Sequence, residues 1–460
     1  MIPTSDRLSR WTPAIFVCAL VNFGFGLALS VSGFAWPLAP ASAPASLAMV
    51  HTLTIGWLTL LMFGALFQFV PVITARALPS QIWPLATLIG VESGLVSMIG
   101  GFLALGRGGA AALLLPAGGG LVTLAVLLGA GALLVPLIAK RPTPLSARFV
   151  LAGLGFLLLT VLLGLAFAVA LTVPALGPAL GPALGPGGLA VLLGDGLGDH
   201  VLAGIGGWFT LTAIGVSYEL LPMFMLAPHD RGALGVAVLV SGAGGFFVAF
   251  GAGLGGIISP GGGVWLAEQI GRLAIVLALG LYLLDVARLY RSRRRQQIEL
   301  HNRAAIGAFV ALGLAVLLAL GAVAFGHLTA LAPTLVLLLL LGWLSGLGVT
   351  QLYKIVAFLA WLSRYGSQLG RHPVPRVQDL VNEPGSRGVF ALYFASVAIA
   401  ALAAMLGWPE VTRAALALTL LAVALLAREY LRAWRAHYAR AAKPAPERPL
   451  PIPPPQGARR

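Results

Sequence analysis

The sequence predicts an all-α polytopic membrane protein of about twelve transmembrane helices, and three features predict it. Apolar runs follow one another along the chain: 59% of its 460 residues are hydrophobic, 9% are charged, and the mean hydropathy is +0.96. A hydrocarbon core about 30 Å thick takes roughly 20 apolar residues per helix, and a soluble chain of this length needs far more polar surface. The runs lack the alternating polarity of barrel strands, and an open sheet edge finds no partner in lipid. Finally, the basic residues are sorted by loop rather than gathered on one surface.

Taken in order, the spans fall at 12–36, 47–75, 81–106, 110–139, 147–173, 199–227, 232–256, 264–288, 304–326, 332–362, 388–408 and 412–430. The first is followed by the Ala-rich APASAPAS, the order found in a secretory signal. Its run is longer than the roughly 7–15 residues of a signal core, so it is read as a span. Between spans 5 and 6, residues 174–187 repeat PALG three times and form a loop of Pro/Gly turns. The membrane domain covers 1–440. Residues 441–460 (AAKPAPERPLPIPPPQGARR) are Pro-rich and basic, the composition of a disordered tail.

Placing the N-terminus in the cytoplasm puts 25 of the 29 Lys and Arg residues in cytoplasmic loops or the tail. Only Arg107 and Arg413 fall on the outer side, and Arg272 and Lys354 lie within spans. By the positive-inside rule both termini are then cytoplasmic, in a plasma or inner membrane. The formal charge of +15 is therefore directed at the lipid bilayer and not at nucleic acid. The single cysteine, Cys18, lies within span 1, so no disulfide or Cys-based metal site forms within one chain. There is no P-loop and no zinc motif, and GAGLGG at 251–256 is a helix end.

An internal repeat runs through the helices. Aligned on Trp57, Trp208 and Trp343, spans 2, 6 and 10 place Phe67, Tyr218 and Tyr353 ten residues later. Gln68, Glu219 and Lys354 follow one residue on, and Gly64 and Gly215 are shared by the first two. The spacing is four helices each time, so the chain reads as three parallel four-helix units. A charge at the depth of Gln68, Glu219 and Lys354 needs a partner. Opposite signs at equivalent positions predict that Glu219 and Lys354 pair, directly or through water, near the pseudo-axis, with Gln68 nearby.

Span 2 reads HTLTIGWLTLLMFGALFQFVPVI, span 6 contains YELLPMF, and span 10 ends QLYKIVAFLAW. With twelve helices, cytoplasmic termini and threefold repetition, these segments resemble subunit I of the heme–copper oxidase superfamily, including its cbb3-type and NnrS-like members. The resemblance implies that His51 is an axial ligand of heme b, with His327 before span 10 as its counterpart, and that His200 binds copper. Span 7 lacks the adjacent histidines of the family, and the body of span 10 lacks its H-x-H. The resemblance therefore implies a divergent relative without a complete binuclear centre, not competent for oxygen or nitric oxide reduction on its own. One heme or metal ion near the outer face would serve electron transfer, nitric oxide or copper-related biology, or a partner protein in the membrane.

The residues give the same candidates by position. His51, His200 and His327 are the histidines of the outer face, and imidazole suits iron and copper. His51 lies six residues before its tryptophan and His200 eight, at similar depth. His327 lies sixteen before Trp343, and so higher unless Pro333 breaks the helix. His229, His301, His372 and His437 fall in cytoplasmic segments and read as solvated. Glu92, in mid-span, reads as a proton carrier or a helix–helix contact. Glu268 pairs with Arg272, and Asp285 with Arg288. Two rival functions share this architecture: a transporter or channel lined by Glu92, Glu219 and Lys354, and a cofactor-free structural subunit.

Overall fold

The computed structural model describes residues 9–106, 109–173, 193–194, 196–258 and 262–436. The PALG segment, the Pro-rich tail, Arg107 and His437 lie outside them. All regular structure among the described residues is helical. Among the described residues, twelve helices are long and apolar enough to cross a membrane. They are α1 (Thr12–Ser32), α2 (Pro44–Thr74), α3 (Ile82–Ala104), α4 (Ala110–Ala139), α5 (Leu145–Thr172) and α6 (Gly196–Met225). There follow α7 (Gly232–Gly256), α8 (Gly262–Ser292), α9 (Leu300–Ala324), α10 (Ala330–Gln368), α11 (Glu383–Met405) and α12 (Pro409–Arg435).

The helices close into a ring in which α12 packs back on α1. Arg413 Nε fastens that seam by donating to the Val31 carbonyl at 2.6 Å. The inner positions go to α2, α6 and α10, which bury 72%, 67% and 61% of their apolar windows against 56% or less for the other nine. Trp57, Trp208 and Trp343 are almost completely buried. Trp57 Nε1 donates to Ser345 Oγ at 2.9 Å, joining α2 to α10, and Phe63 lies 5.9 Å from Trp208, joining α2 to α6. The face of each outer helix directed away from this core keeps exposed Val, Leu and Phe, as a lipid-facing surface requires.

The threefold repeat is visible in the backbone. Each inner helix contains one π-helical stretch: Thr52–Thr59 in α2, Leu202–Thr210 in α6 and Leu337–Ser345 in α10. All three end two residues after the aligned tryptophan, on Thr59, Thr210 and Ser345. Each also has glycine just before the tryptophan. A Cβ on Gly56 would lie 2.7 Å from Asn22 of α1, and one on Gly342 2.7 Å from Cβ of Ala311 in α9. One on Gly207 would enter the Phe156 ring of α5. The motif Gly-Trp-Leu/Phe-Thr/Ser therefore lets the first helix of each unit approach the wide π turn of the second. It stands in the sequence at 56–59, 207–210 and 342–345, and the alignment on tryptophan and the residues downstream passed over it.

The polar layer is organised differently from the expectation. Lys354 Nζ bonds Glu299 Oε2 at 2.6 Å, and Glu219 accepts from Ser146 Oγ at 3.2 Å; Glu219 and Lys354 form no ion pair. Gln68 Nε2 donates to the Ser9 carbonyl and to Thr12 Oγ1, both at 2.8 Å. Each polar residue thus turns outward to the start of the first helix of its own unit: Thr12 opens α1, Ser146 is second in α5, and Glu299 immediately precedes α9. The spread of signs had pointed across the axis because the partners Ser9, Thr12, Ser146 and Glu299 lie 55 or more residues away in sequence.

Two other expectations change. His301 is not solvated: it is 1% exposed, with Nδ1 3.5 Å from Glu299 Oε2 and its ring edge-on to Phe224. Asp285 pairs with Arg231 from the loop between α6 and α7 at 3.5 Å rather than with Arg288, so the bond crosses elements instead of following one helix. The Glu268–Arg272 pair forms within α8.

Candidate functional site

His51 and His200 stand at corresponding places. His51 is the last residue of the α-helical start of α2, immediately before its π turn, and His200 lies two residues before the π turn of α6. A π turn holds one residue more than an α turn, and an added residue rotates what precedes it by about 100°. The structure brings the two imidazoles together: their ring centroids are 6.5 Å apart and their planes 27° from parallel.

The protein sets the state of each ring. His51 Nδ1 lies 2.7 Å from the Leu47 carbonyl one turn back. A carbonyl only accepts, so Nδ1 carries the proton and Nε2 presents its lone pair. A backbone bond of this kind is the usual outer partner of a metal-ligating histidine. His200 Nδ1 is buried without a well-formed hydrogen bond, its ring meeting only the Thr160 backbone. Phe102 of α3 packs 4.8 Å from the His51 ring, and Phe167 of α5 meets His200 edge-on at 5.7 Å. Gly164 of α5 makes room for the imidazole, since a Cβ there would lie 2.9 Å from His200 Cε1. Beside it, the Asp199 carboxylate is 7% exposed and fills the space that a side chain at Gly253 would take.

The other candidates lie apart. His327 is exposed in the turn between α9 and α10, its backbone N–H bonded to the Ala322 carbonyl at 2.8 Å. In α10 the heights of His51 and His200 are occupied by Leu337 and Leu335. Glu92 accepts from Asn22 Nδ2 at 2.8 Å, a contact between α3 and α1. Gln68, Glu219 and Lys354 are engaged within their units, as described above.

The centroid separation of 6.5 Å is close to that of two imidazoles on one ion. Two imidazoles binding one ion from opposite sides at about 2.0 Å each have centroids about 6 Å apart. Among the described residues, no group of three or more His, Cys, Asp or Glu side chains is gathered for a metal. A two-donor set suits heme iron, whose porphyrin supplies the remaining ligands, or a copper ion. Sequence position marked His51 and His200. Phe102, Phe167 and Gly164 carried no signal, because they are ordinary residues of apolar helices and acquire their role only from the helix packing. A scan against protein-family models returns no match for this chain, and neither does a search of curated proteins.

Proposed function

We propose that the chain is an oxidase-subunit-I-like redox protein of the membrane, built around one centre held by His51 and His200. Heme b is the first reading, because two imidazoles complete the axial set of a porphyrin iron; a single copper ion is the second. The observation that supports it is the convergence of these two rings, one with its lone pair oriented by the Leu47 carbonyl and the other seated against Gly164 with a buried nitrogen that lacks a well-formed hydrogen bond. Such a centre supplies a one-electron couple. The chain's own contribution is to fix the tautomer of His51, to hold His200 against Gly164, and to exclude water with Phe102 and Phe167. The same reading places the arginine-rich end of the bundle in the cytoplasm, the histidine pair near the outer face, and the chain in a plasma or inner membrane.

The absorption spectrum and total metal content of the purified protein test this. A Soret band with reducible α bands is expected, lost or shifted in His51→Ala and in His200→Ala and unchanged in His327→Ala. One copper per chain without a Soret band, dependent on the same two histidines, identifies the second reading. Absence of both cofactors after expression with heme precursor and copper supplied would sink the proposal.

A further inference from the structure

Between α9 and α11, at the end where both helices begin, a groove of about 380 Å³ opens on the outside of the bundle. Arg303 and Arg387 stand at its mouth, both exposed, and neither guanidinium has a hydrogen bond or an acidic partner among the described residues. Deeper in, the groove is apolar. Phe390 and Phe394 line it, and the Phe394 ring is received by two glycines: a Cβ would come within 2.8 Å of it at Gly307 and at Gly346. The wall on the α9 side is thin because it is made by Ala304 and Gly307.

Each arginine lies within the first turn or so of its helix, so two positive helix ends add to two formal charges at one level. Apart from the two arginines, the described residues that line the groove are apolar. A small hydrated anion gains nothing from the apolar part, and a neutral acyl chain gains nothing from the arginines. A ligand with a phosphate at one end and an acyl chain at the other uses both.

We infer that this groove is a binding site for an anionic phospholipid, its phosphate between Arg303 and Arg387 and an acyl chain along Phe390 and Phe394. The site belongs to the third unit alone. Counted from the helix starts, the corresponding residues are Ile15 and Ala86 in the first unit and Arg148 and Val236 in the second. Arg148 is occupied, its Nε donating to the Thr143 carbonyl at 3.1 Å. The inference is independent of the histidine centre.

The test is lipid retention by the full-length protein in detergent, read by native mass spectrometry after delipidation and re-addition of phosphatidylglycerol, phosphatidylcholine or inorganic phosphate. Phosphatidylglycerol should bind with one preferred site. Arg303→Gln with Arg387→Gln should weaken it about 30-fold, the factor carried by two near-surface charges. Ala391→Trp keeps both charges, fills the groove and should also abolish binding; it decides the matter where the double variant does not fold. Equal retention of phosphatidylcholine, equal competition by inorganic phosphate, or retention unchanged in the variants would overturn the assignment.

Discussion

At the scale of single residues, the arrangement turns on how little space surrounds His200. Its ring is seated by a glycine on a neighbouring helix, with a prospective Cβ at 2.9 Å, so the imidazole has one place to go. Gly164→Val should push His200 away from His51 and weaken any bound centre while leaving His51 in place. The expected result is a loss of about 1–3 kcal/mol in stability from overpacking, together with a cofactor spectrum shifted as in His200→Ala. A spectrum identical to the parent would show that His200 has no part in the centre. The positions of His51 and His200 were legible, because counting back to an aligned tryptophan measures depth. Their facing was not, because counting at 3.6 residues per turn fails across a π turn. His327 was drawn into the same set by its side of the membrane and by the resemblance, and Leu335 and Leu337 hold the corresponding heights in α10.

At the scale of elements, hydropathy located all twelve helices but not their full length. The predicted span 412–430 becomes Pro409–Arg435, and 332–362 becomes Ala330–Gln368. A hydropathy run marks the crossing of the bilayer, whereas a helix continues as long as its polar ends are satisfied. α12 extends through Arg432, which pairs with Glu429 at 2.7 Å, and Arg364 of α10 donates to the Trp434 and Ala436 carbonyls at the end of α12. The π turns are the element-level feature that the spans concealed. They coincide with the glycine-tryptophan step, where the first helix of each unit comes closest. Gly207→Leu should force Phe156 out of its place and separate α5 from α6. Thermal unfolding of the purified variant should show a loss of about 1–3 kcal/mol, and a second substitution, Phe156→Ala, should recover part of it. No recovery would mean that the glycine serves another purpose.

For the molecule as a whole, the inner helices form three equivalent units, and the polar groups at one depth are answered inside each unit. Lys354 and Glu299 are the sharpest case, with their side chains only 11% and 9% exposed. Lys354→Met alone leaves a buried carboxylate with Arg295, and Glu299→Gln alone leaves a buried ammonium. Glu299→Gln should cost about 3 kcal/mol, Lys354→Met less because Arg295 still answers the carboxylate, and the double change less than their sum because it removes the stranded ammonium. Additive losses would refute the coupling, and the same experiment on Lys354 with Glu219 should show none. Orientation is a prediction at this scale too. In a background of Cys18→Ser, Ser259→Cys should react with an impermeant thiol reagent applied from outside and Gln296→Cys should not. Labelling at 296 from outside would invert the assignment. The number of units could be read from the sequence because the tryptophans recur every four helices. The direction of the polar contacts could not, because an alignment shows which residues correspond and is silent on which of them meet.

The local answering of those polar groups has a bearing on how three such different residues came to occupy one position. Had Gln68, Glu219 and Lys354 faced one another, a change in any of them would have strained the other two, and all three would have had to change in concert. Because each is bound to the beginning of its own unit, a change of charge at one position can be answered by a single change nearby, as Lys354 is answered by Glu299 and Glu219 by Ser146. Three four-helix units built this way can differ independently in their membrane-buried chemistry while their glycine-tryptophan steps, which set the geometry, stay alike.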